Sequence, residues 1–316
     1  MKEHTDVIEV NGLAKAFGGT VAVDGISFSV KSGELFGFLG PNGAGKTTSV
    51  RMLTGVLKPD KGTAVIQGHN ICSQSLQSRA HIAVVPEQAN VYLDLSVWQN
   101  IMLMAELYDI PRNQRTRKAV ELLDSLGLSG RRRQKARALS KGLRQRLMLC
   151  AALVTEPEIL FLDEPTSGLD VQSRQMIYKI IRQLNSQGLT IFLTTHNMDE
   201  AEILCSRVAI INNGKIAAID TPEKLRSAIR LRQFIEVGFS GKPLSIEDIK
   251  SLPGVSSVDS EDDIIRAYTE TPGQVSAEIA CLAKNKNIKI EQLCTRKPSL
   301  EEVFLYFTQR RKEEPV

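Results

Sequence analysis

No apolar run in this chain approaches the ~18 residues that a bilayer-spanning helix needs, so the chain itself is not expected to cross a membrane. Cysteine is sparse. Cys72, Cys150, Cys205, Cys281 and Cys294 are odd in number, scattered, and never in C-x-x-C spacing. That excludes a disulfide framework and a cysteine zinc site, and it points to reduced thiols in the cytoplasm. The first residues, Met1 to Asp6, lack the apolar core of a secretory signal. Charge of one sign is not in excess either: 40 Lys and Arg stand against 36 Asp and Glu, a net of +4. This is too mild to imply nucleic acid or anionic lipid. The most basic stretch, Arg131-Arg132-Arg133 with Lys135 and Arg137, has no interleaved aromatics. Base stacking is therefore poorly supported, and a solvated helix end is expected.

Against these absences stands one dense motif. Gly40-Pro41-Asn42-Gly43-Ala44-Gly45-Lys46-Thr47-Thr48 fits G-x-x-x-x-G-K-[ST]. At average residue usage such a string arises by chance in roughly 1% of chains this long. Its context is right, because Leu35–Leu39 before it is apolar on both faces, as a buried parallel strand is, and Thr48 to Leu53 reads as the start of a helix. Glycines let successive backbone N–H groups turn toward one anion, and the helix N-terminus adds unpaired donors. Lys46 can reach terminal phosphates, and the Thr47 hydroxyl can take one Mg²⁺ position. The loop binds nucleotide phosphates.

The 316 residues, 42% hydrophobic and 24% charged, suffice for two soluble domains. Residues 7–39 contain short β segments at Val7–Val10, Val21–Val23, Ser27–Val30 and Leu35–Leu39, with turns expected at Gly18-Gly19, Asp24-Gly25 and Ser32-Gly33. Together they predict a small antiparallel layer. Phe17, beside a turn, is either an exposed ring able to stack on a base or a core residue. Strands follow at Thr63–Gln67 and Ile82–Val85. From Ser96 the period becomes 3.6, placing Val97, Ile101, Met104, Ala105 and Tyr108 on one helical face; Met102 and Met104 read as packing filler. A helix over Thr116–Leu126 precedes one capped by Ser140.

Ile159–Leu162 is a second buried strand, and it ends in Asp163-Glu164-Pro165. Acids at the carboxyl end of such a strand sit where ligands bind in open α/β sheets. Helix Arg174–Gln187, strand Thr190–Thr195 ending at His196, helix Asp199–Leu204 and a hairpin across Asn213-Gly214 complete an α/β core. Organisation changes near Lys224–Arg232. Beyond it the order β (Phe234–Phe239), α (Ser245–Leu252), β (Val255–Asp259), β (Ile264–Thr269), α (Pro272–Ala283), β (Ile288–Leu293), α (Ser299–Gln309) predicts a small split βαββαβ sandwich. It carries no catalytic-looking cluster and reads as regulatory or docking. The tail, 310–316, is expected to fray.

Several motifs stand in one order: the loop at 40–48, Pro86-Glu87-Gln88, Leu139-Ser140-Lys141-Gly142-Leu143-Arg144-Gln145-Arg146, Ile159–Pro165, Ser167-Gly168-Leu169-Asp170 and Thr195-His196. Over residues 7–220 the chain resembles the nucleotide-binding subunits of ABC (ATP-binding cassette) transporters. The variant signature and the C-terminal extension look most like drug- and polyketide-exporter ATPases, whose membrane subunit is a separate polypeptide.

The resemblance implies a P-loop NTPase core of ABC type over residues 1–225, with an antiparallel β layer and a helical insert at about 88–155, and a ferredoxin-like α+β domain over 226–316. It implies an ATPase that binds ATP and Mg²⁺. Phe17 would stack on adenine, the loop amides and Lys46 would hold phosphates, and Thr47 with Asp163 would organise Mg²⁺. Glu164 would polarise the attacking water and His196 would contact the γ-phosphate. Glu87 stands where the family has glutamine, with Gln88 next to it, so either residue is a candidate for the metal and water contact. The resemblance also implies a head-to-tail pair of copies, with Ser140 and Gly142 of one meeting ATP on the other and Asp170 at the shared interface. A transmembrane permease would be the partner, with no nucleic acid involved, and the subunit would lie peripherally on the inner face of the membrane. Lys141 and Leu143 depart from the family's glycine and glutamine. Lys141 would add a cation near phosphate.

Two rivals fit less well. A soluble ABC ATPase of translation or DNA repair would carry two cassettes or long coiled coils, and only one phosphate loop and no heptad run occur here. A GTPase would need N-K-x-D, which Asn285-Lys286-Asn287-Ile288 misses at its last position.

Overall fold

The computed structural model describes residues 5–88, 90–228, 233–241, 243–261, 264–296 and 298–309. The expected frayed tail and part of the 224–232 transition lie outside them. Two compact units divide at Thr221–Pro222.

The first unit runs β1 (Asp6–Phe17), β2 (Thr20–Lys31), β3 (Leu35–Leu39), α1 (Lys46–Leu53), β4 (Lys61–Ile66), β5 (His69–Asn70), α2 (Ser75–Ala80) and β6 (Ile82–Val85). It continues with α3 (Val97–Leu107), α4 (Arg112–Ser125), α5 (Lys141–Leu153), β7 (Ile159–Asp163), α6 (Val171–Ser186), β8 (Thr190–Thr195), α7 (Met198–Leu204), β9 (Arg207–Asn212) and β10 (Lys215–Asp220). The central sheet has the order β10-β9-β3-β8-β7-β6 and is parallel except for β10. Every residue of β3, β7 and β8 is buried, which is why the middle of each strand reads as an apolar run. Leu39 pairs with Thr195 and Asp163 with Thr194. The residues that follow all three strands therefore emerge side by side at one sheet edge.

The expected antiparallel layer is present with the order β2-β1-β4-β5. Phe28 of β2 packs on Phe36, Phe38 and Phe192 of the central sheet at ring separations of 5.5, 5.6 and 6.0 Å. Each such aromatic pair adds about 0.5–1.5 kcal/mol beyond its area burial. Asp24-Gly25 is not the expected turn. β1 pairs with both halves of β2, so the chain keeps its direction, and Gly25 (φ +65°) lies within an irregularity of that pairing. The helical insert holds α3 to α5. Val97, Ile101 and Ala105 are buried as expected, but Tyr108 follows the last turn of α3 and is exposed, because the helix ends before returning it to the core face. α2 was not foreseen, α4 begins at Arg112, and α6 begins at Val171 because Asp170 caps it.

The second unit begins with α8 (Pro222–Ala228), which contacts the closing helix α11 (Leu300–Gln309), so the chain divides ahead of the expected 225/226 boundary. Between them lie β11 (Phe234–Ser240), α9 (Ile246–Lys250), β12 (Val255–Glu261), β13 (Ile264–Thr269), α10 (Pro272–Asn285) and β14 (Lys289–Arg296). Their sheet order, β12-β13-β11-β14, is antiparallel throughout, which is the split βαββαβ arrangement. Ile235 and Val237 of β11 meet Ile249, Val275 and Ile279 of the helices in its core. Among the described residues, no helix of either unit is long and apolar enough to cross a membrane.

Candidate functional site

The loop between β3 and α1 needs glycine for reasons of space. A Cβ on Gly40 would meet the Ile211 carbonyl oxygen at 2.3 Å, and one on Gly45 (φ +105°) would meet that of Ala22 at 2.5 Å. No side chain caps α1, so its first N–H groups are left for an anion. Lys46 is 6% exposed. Its Nζ donates to the Gly40 and Pro41 carbonyls at 2.8 and 3.1 Å and lies 3.1 Å from Glu164 Oε1.

Glu164, 7% exposed, holds a left-handed φ of +50°, a conformation that costs a non-glycine residue free energy. Its N–H donates to the Thr194 carbonyl at 3.1 Å, and its Oε2 lies 2.5 Å from His196 Nδ1. The carboxylate is thus held between a lysine and a histidine. Asp163 Oδ1 accepts from the hydroxyls of Thr47 (3.3 Å) and Thr194 (2.5 Å). Ser167 donates to Glu87 Oε1 at 3.2 Å.

These groups line a cleft of about 420 Å³: Asn42, Gly43, Gly45, Lys46, Thr47 and Thr48 of the loop, with Ala22, Glu87, Glu164, Ser167 and His196. Ala44 is buried beneath it, and Asp163 sits behind Thr47. Glu87 lines the cleft, whereas its exposed neighbour Gln88 does not. Phe17, half exposed at the end of β1, is not a core residue and stands apart from the cleft lining. Thr194 was not singled out from the sequence, and Ser167 stood only within the motif at 167–170, with no role assigned. The only signal for Thr194 is a hydroxyl at a fully buried strand position.

Ser140 and Gly142 line no part of this cleft within the chain. Ser140 caps α5 by accepting the Leu143 N–H at 3.3 Å. A Cβ on Gly142 would stand 2.3 Å from Ser173 Oγ, so the signature turn packs directly on α6. Lys141 extends to the loop at Gly168, its Nζ 2.5 Å from where a Cβ there would lie. Asp170 accepts from the Ser173 N–H and hydroxyl, which holds its carboxyl below the usual range.

The donor set around Thr47 and Asp163 is all hard oxygen, which suits Mg²⁺. Among the described residues no three His, Cys, Asp or Glu side chains gather to hold a metal by themselves. A cation here would share its coordination with phosphate oxygens and water, as Mg²⁺ does in phosphate sites.

A family described as "ABC transporter" matches residues 23–167. The chain is 34% identical to the linearmycin resistance ATP-binding protein LnrL of Bacillus subtilis (strain 168), covering 96% of this chain and 99% of that protein. It is 36% identical to the daunorubicin/doxorubicin resistance ATP-binding protein DrrA of Streptomyces peucetius (96% and 93% covered). It is 38% identical to the Nod factor export ATP-binding protein I of Rhizobium sp. (strain N33) (97% and 98% covered). Among solved structures, cbiO1 of Clostridium perfringens, part of the ABC transporter complex cbiONQ, superposes with a TM-score of 0.65 at 27% identity. It covers 70% of this chain and 91% of that one.

Proposed function

This chain belongs to the ABC transporter family as an ATP-binding, ATP-hydrolysing subunit of exporter type, and from that premise we propose how its residues do the work. The observation that carries the reading is the Glu164 carboxylate held between Lys46 and His196 on the wall of a phosphate-loop cleft.

The loop amides and Lys46 bind the β- and γ-phosphates. Thr47 and Asp163, with Glu87 facing the same cleft, hold Mg²⁺, which when bound neutralises developing phosphate charge. Glu164 accepts the proton of the attacking water, and His196 contacts the γ-phosphate, linking its presence to the end of β8. Phe17 stacks on adenine. Ser140 and Gly142 of a second copy, turned head to tail, close over the γ-phosphate at the N-terminus of α5, with Asp170 at the shared surface. ATP then favours the closed pair in proportion to its tighter binding there, and hydrolysis releases it.

A shallow groove of about 140 Å³ lined by Val84, Tyr92, Met104, Tyr108 and Met148 separates β6 from the helical insert. Its exposed tyrosines suit an apolar helix of a separate permease. Docking there places the subunit peripherally on the inner face of the membrane. The cargo is drug- or lipid-like, in keeping with the resistance and export proteins the chain is similar to. The second unit serves regulation or docking.

Light scattering of Glu164→Gln tests the pairing. With ATP and Mg²⁺ at saturation it should double its mass; a persistent monomer sinks the proposed dimer.

A further inference from the structure

Behind the Glu164–His196 pair lies a carboxyl group that the scheme above does not use. Glu200, in the first turn of α7, is 1% exposed. Its Oε1 accepts from Thr166 Oγ1 at 2.7 Å. Thr195 Oγ1 accepts the Asn197 N–H at 3.0 Å, and Asn197 Oδ1 accepts the N–H of Glu200 at 3.1 Å. Tyr178 and Arg174 of α6 lie within electrostatic range of the same carboxyl. Thr166, Thr195 and Tyr178 are all buried.

What this network joins is set by sequence spacing. Thr166 lies two residues after Glu164, and Asn197, which accepts the Glu200 N–H, lies one after His196. Glu200 therefore ties the segment carrying one catalytic side chain to the segment carrying the other. Burial, aided by the nearby Glu164 charge, pushes the Glu200 carboxyl up from its usual range, against the hydroxyls and Arg174.

We propose that Glu200 is a positioning residue for hydrolysis, clamping Thr166 to the Asn197 turn at the start of α7 and so fixing the 2.5 Å meeting of His196 with Glu164. This rests on the assignment of Glu164 as the base. A misplacement of about 1 Å at a reacting group costs on the order of 100-fold in rate. The clamp thus acts on turnover through Glu164 and His196 and leaves the loop amides and Lys46 untouched.

The test compares Glu200→Ala, Glu200→Gln and Thr166→Val for kcat, ATP affinity, melting temperature and the pH profile of kcat, with Glu164→Gln alongside. Glu200→Ala should lose ~10- to 100-fold in kcat with ATP affinity within about twofold. Glu200→Gln, whose amide oxygen still accepts from Thr166, should return kcat to within about threefold with an unmoved pH profile. Thr166→Val should fall between them. A Glu200→Ala protein that melts earlier but turns over normally per folded molecule overturns the clamp. So does a Glu200→Gln as impaired as Glu200→Ala, which would mean that a charge is needed. Should Glu200→Ala not fold, Thr166→Val decides: reduced kcat supports the clamp and wild-type kcat overturns it. Normal turnover in Glu164→Gln removes the premise and the clamp with it, whereas a dead Glu164→Gln beside a normal Glu200→Ala overturns the clamp alone.

Discussion

The two units place their polar residues differently. In the first, Lys46, Asp163, Glu164 and Glu200 are all buried, and each has a partner at the same sheet edge. In the second, the described buried side chains are apolar except Thr269, and the described ion pairs join side chains that are at least partly exposed: Arg266 and Arg296 on Glu236, and Lys286–Asp248 at 2.6 Å. An unpartnered buried charge costs several kcal/mol, so a fold that gathers charges inside must satisfy each of them. The first unit accepts that constraint where phosphate chemistry needs charges in place. The second has only an apolar core to keep.

That contrast can be broken most severely at Lys46. Lys46→Ala should remove the proposed phosphate contact and take a partner from buried Glu164, which costs about 3–5 kcal/mol in stability. Titration with a fluorescent ATP analogue should show affinity reduced by roughly 10²- to 10³-fold. In the second unit, Ile279→Ala empties a fully buried position of α10 and should cost about 2–5 kcal/mol in urea unfolding. ATP affinity should be unchanged there; a parallel loss would show that the units do not divide the labour.

A smaller effect is expected at Gly142→Ala, whose new Cβ would meet Ser173 Cβ at 2.6 Å. Overpacking of this kind costs about 1–3 kcal/mol, and adding Ser173→Gly should restore most of the melting temperature and ATPase rate. The smallest concerns acid. The depressed carboxyl of Asp170 contributes stability that is complete above its ordinary range, near pH 4, and is lost as pH falls through its lower folded value. Asp170→Asn should flatten that part of the acid unfolding curve.

Local strings made the phosphate loop, the strand into Asp163-Glu164, the Ser140 cap and the split βαββαβ order legible in the sequence. In each of these a few neighbouring residues carry the whole physical requirement. Asp24-Gly25 misled because glycine serves a bulge as well as a turn, and only the pairing of β1 with both halves of β2 decides between them. Tyr108 matched the helical period, but α3 stops short of it. Thr194, Ser167 and Glu200 were illegible for a different reason. Their partners lie 31, 80 and 34 residues away, and nothing near them in sequence announces so distant a hydrogen bond. The reach of Lys141 to Gly168 belongs to the same class, since it depends on how α5 packs beside the loop before α6.

The most direct measurement is the steady-state turnover of Glu164→Gln beside its ATP affinity. A proton-accepting Glu164 requires kcat to fall by ~10²- to 10⁴-fold with binding retained. Turnover within a few-fold of wild type would contradict it, and the buried pair with Lys46 and His196 would then be structural.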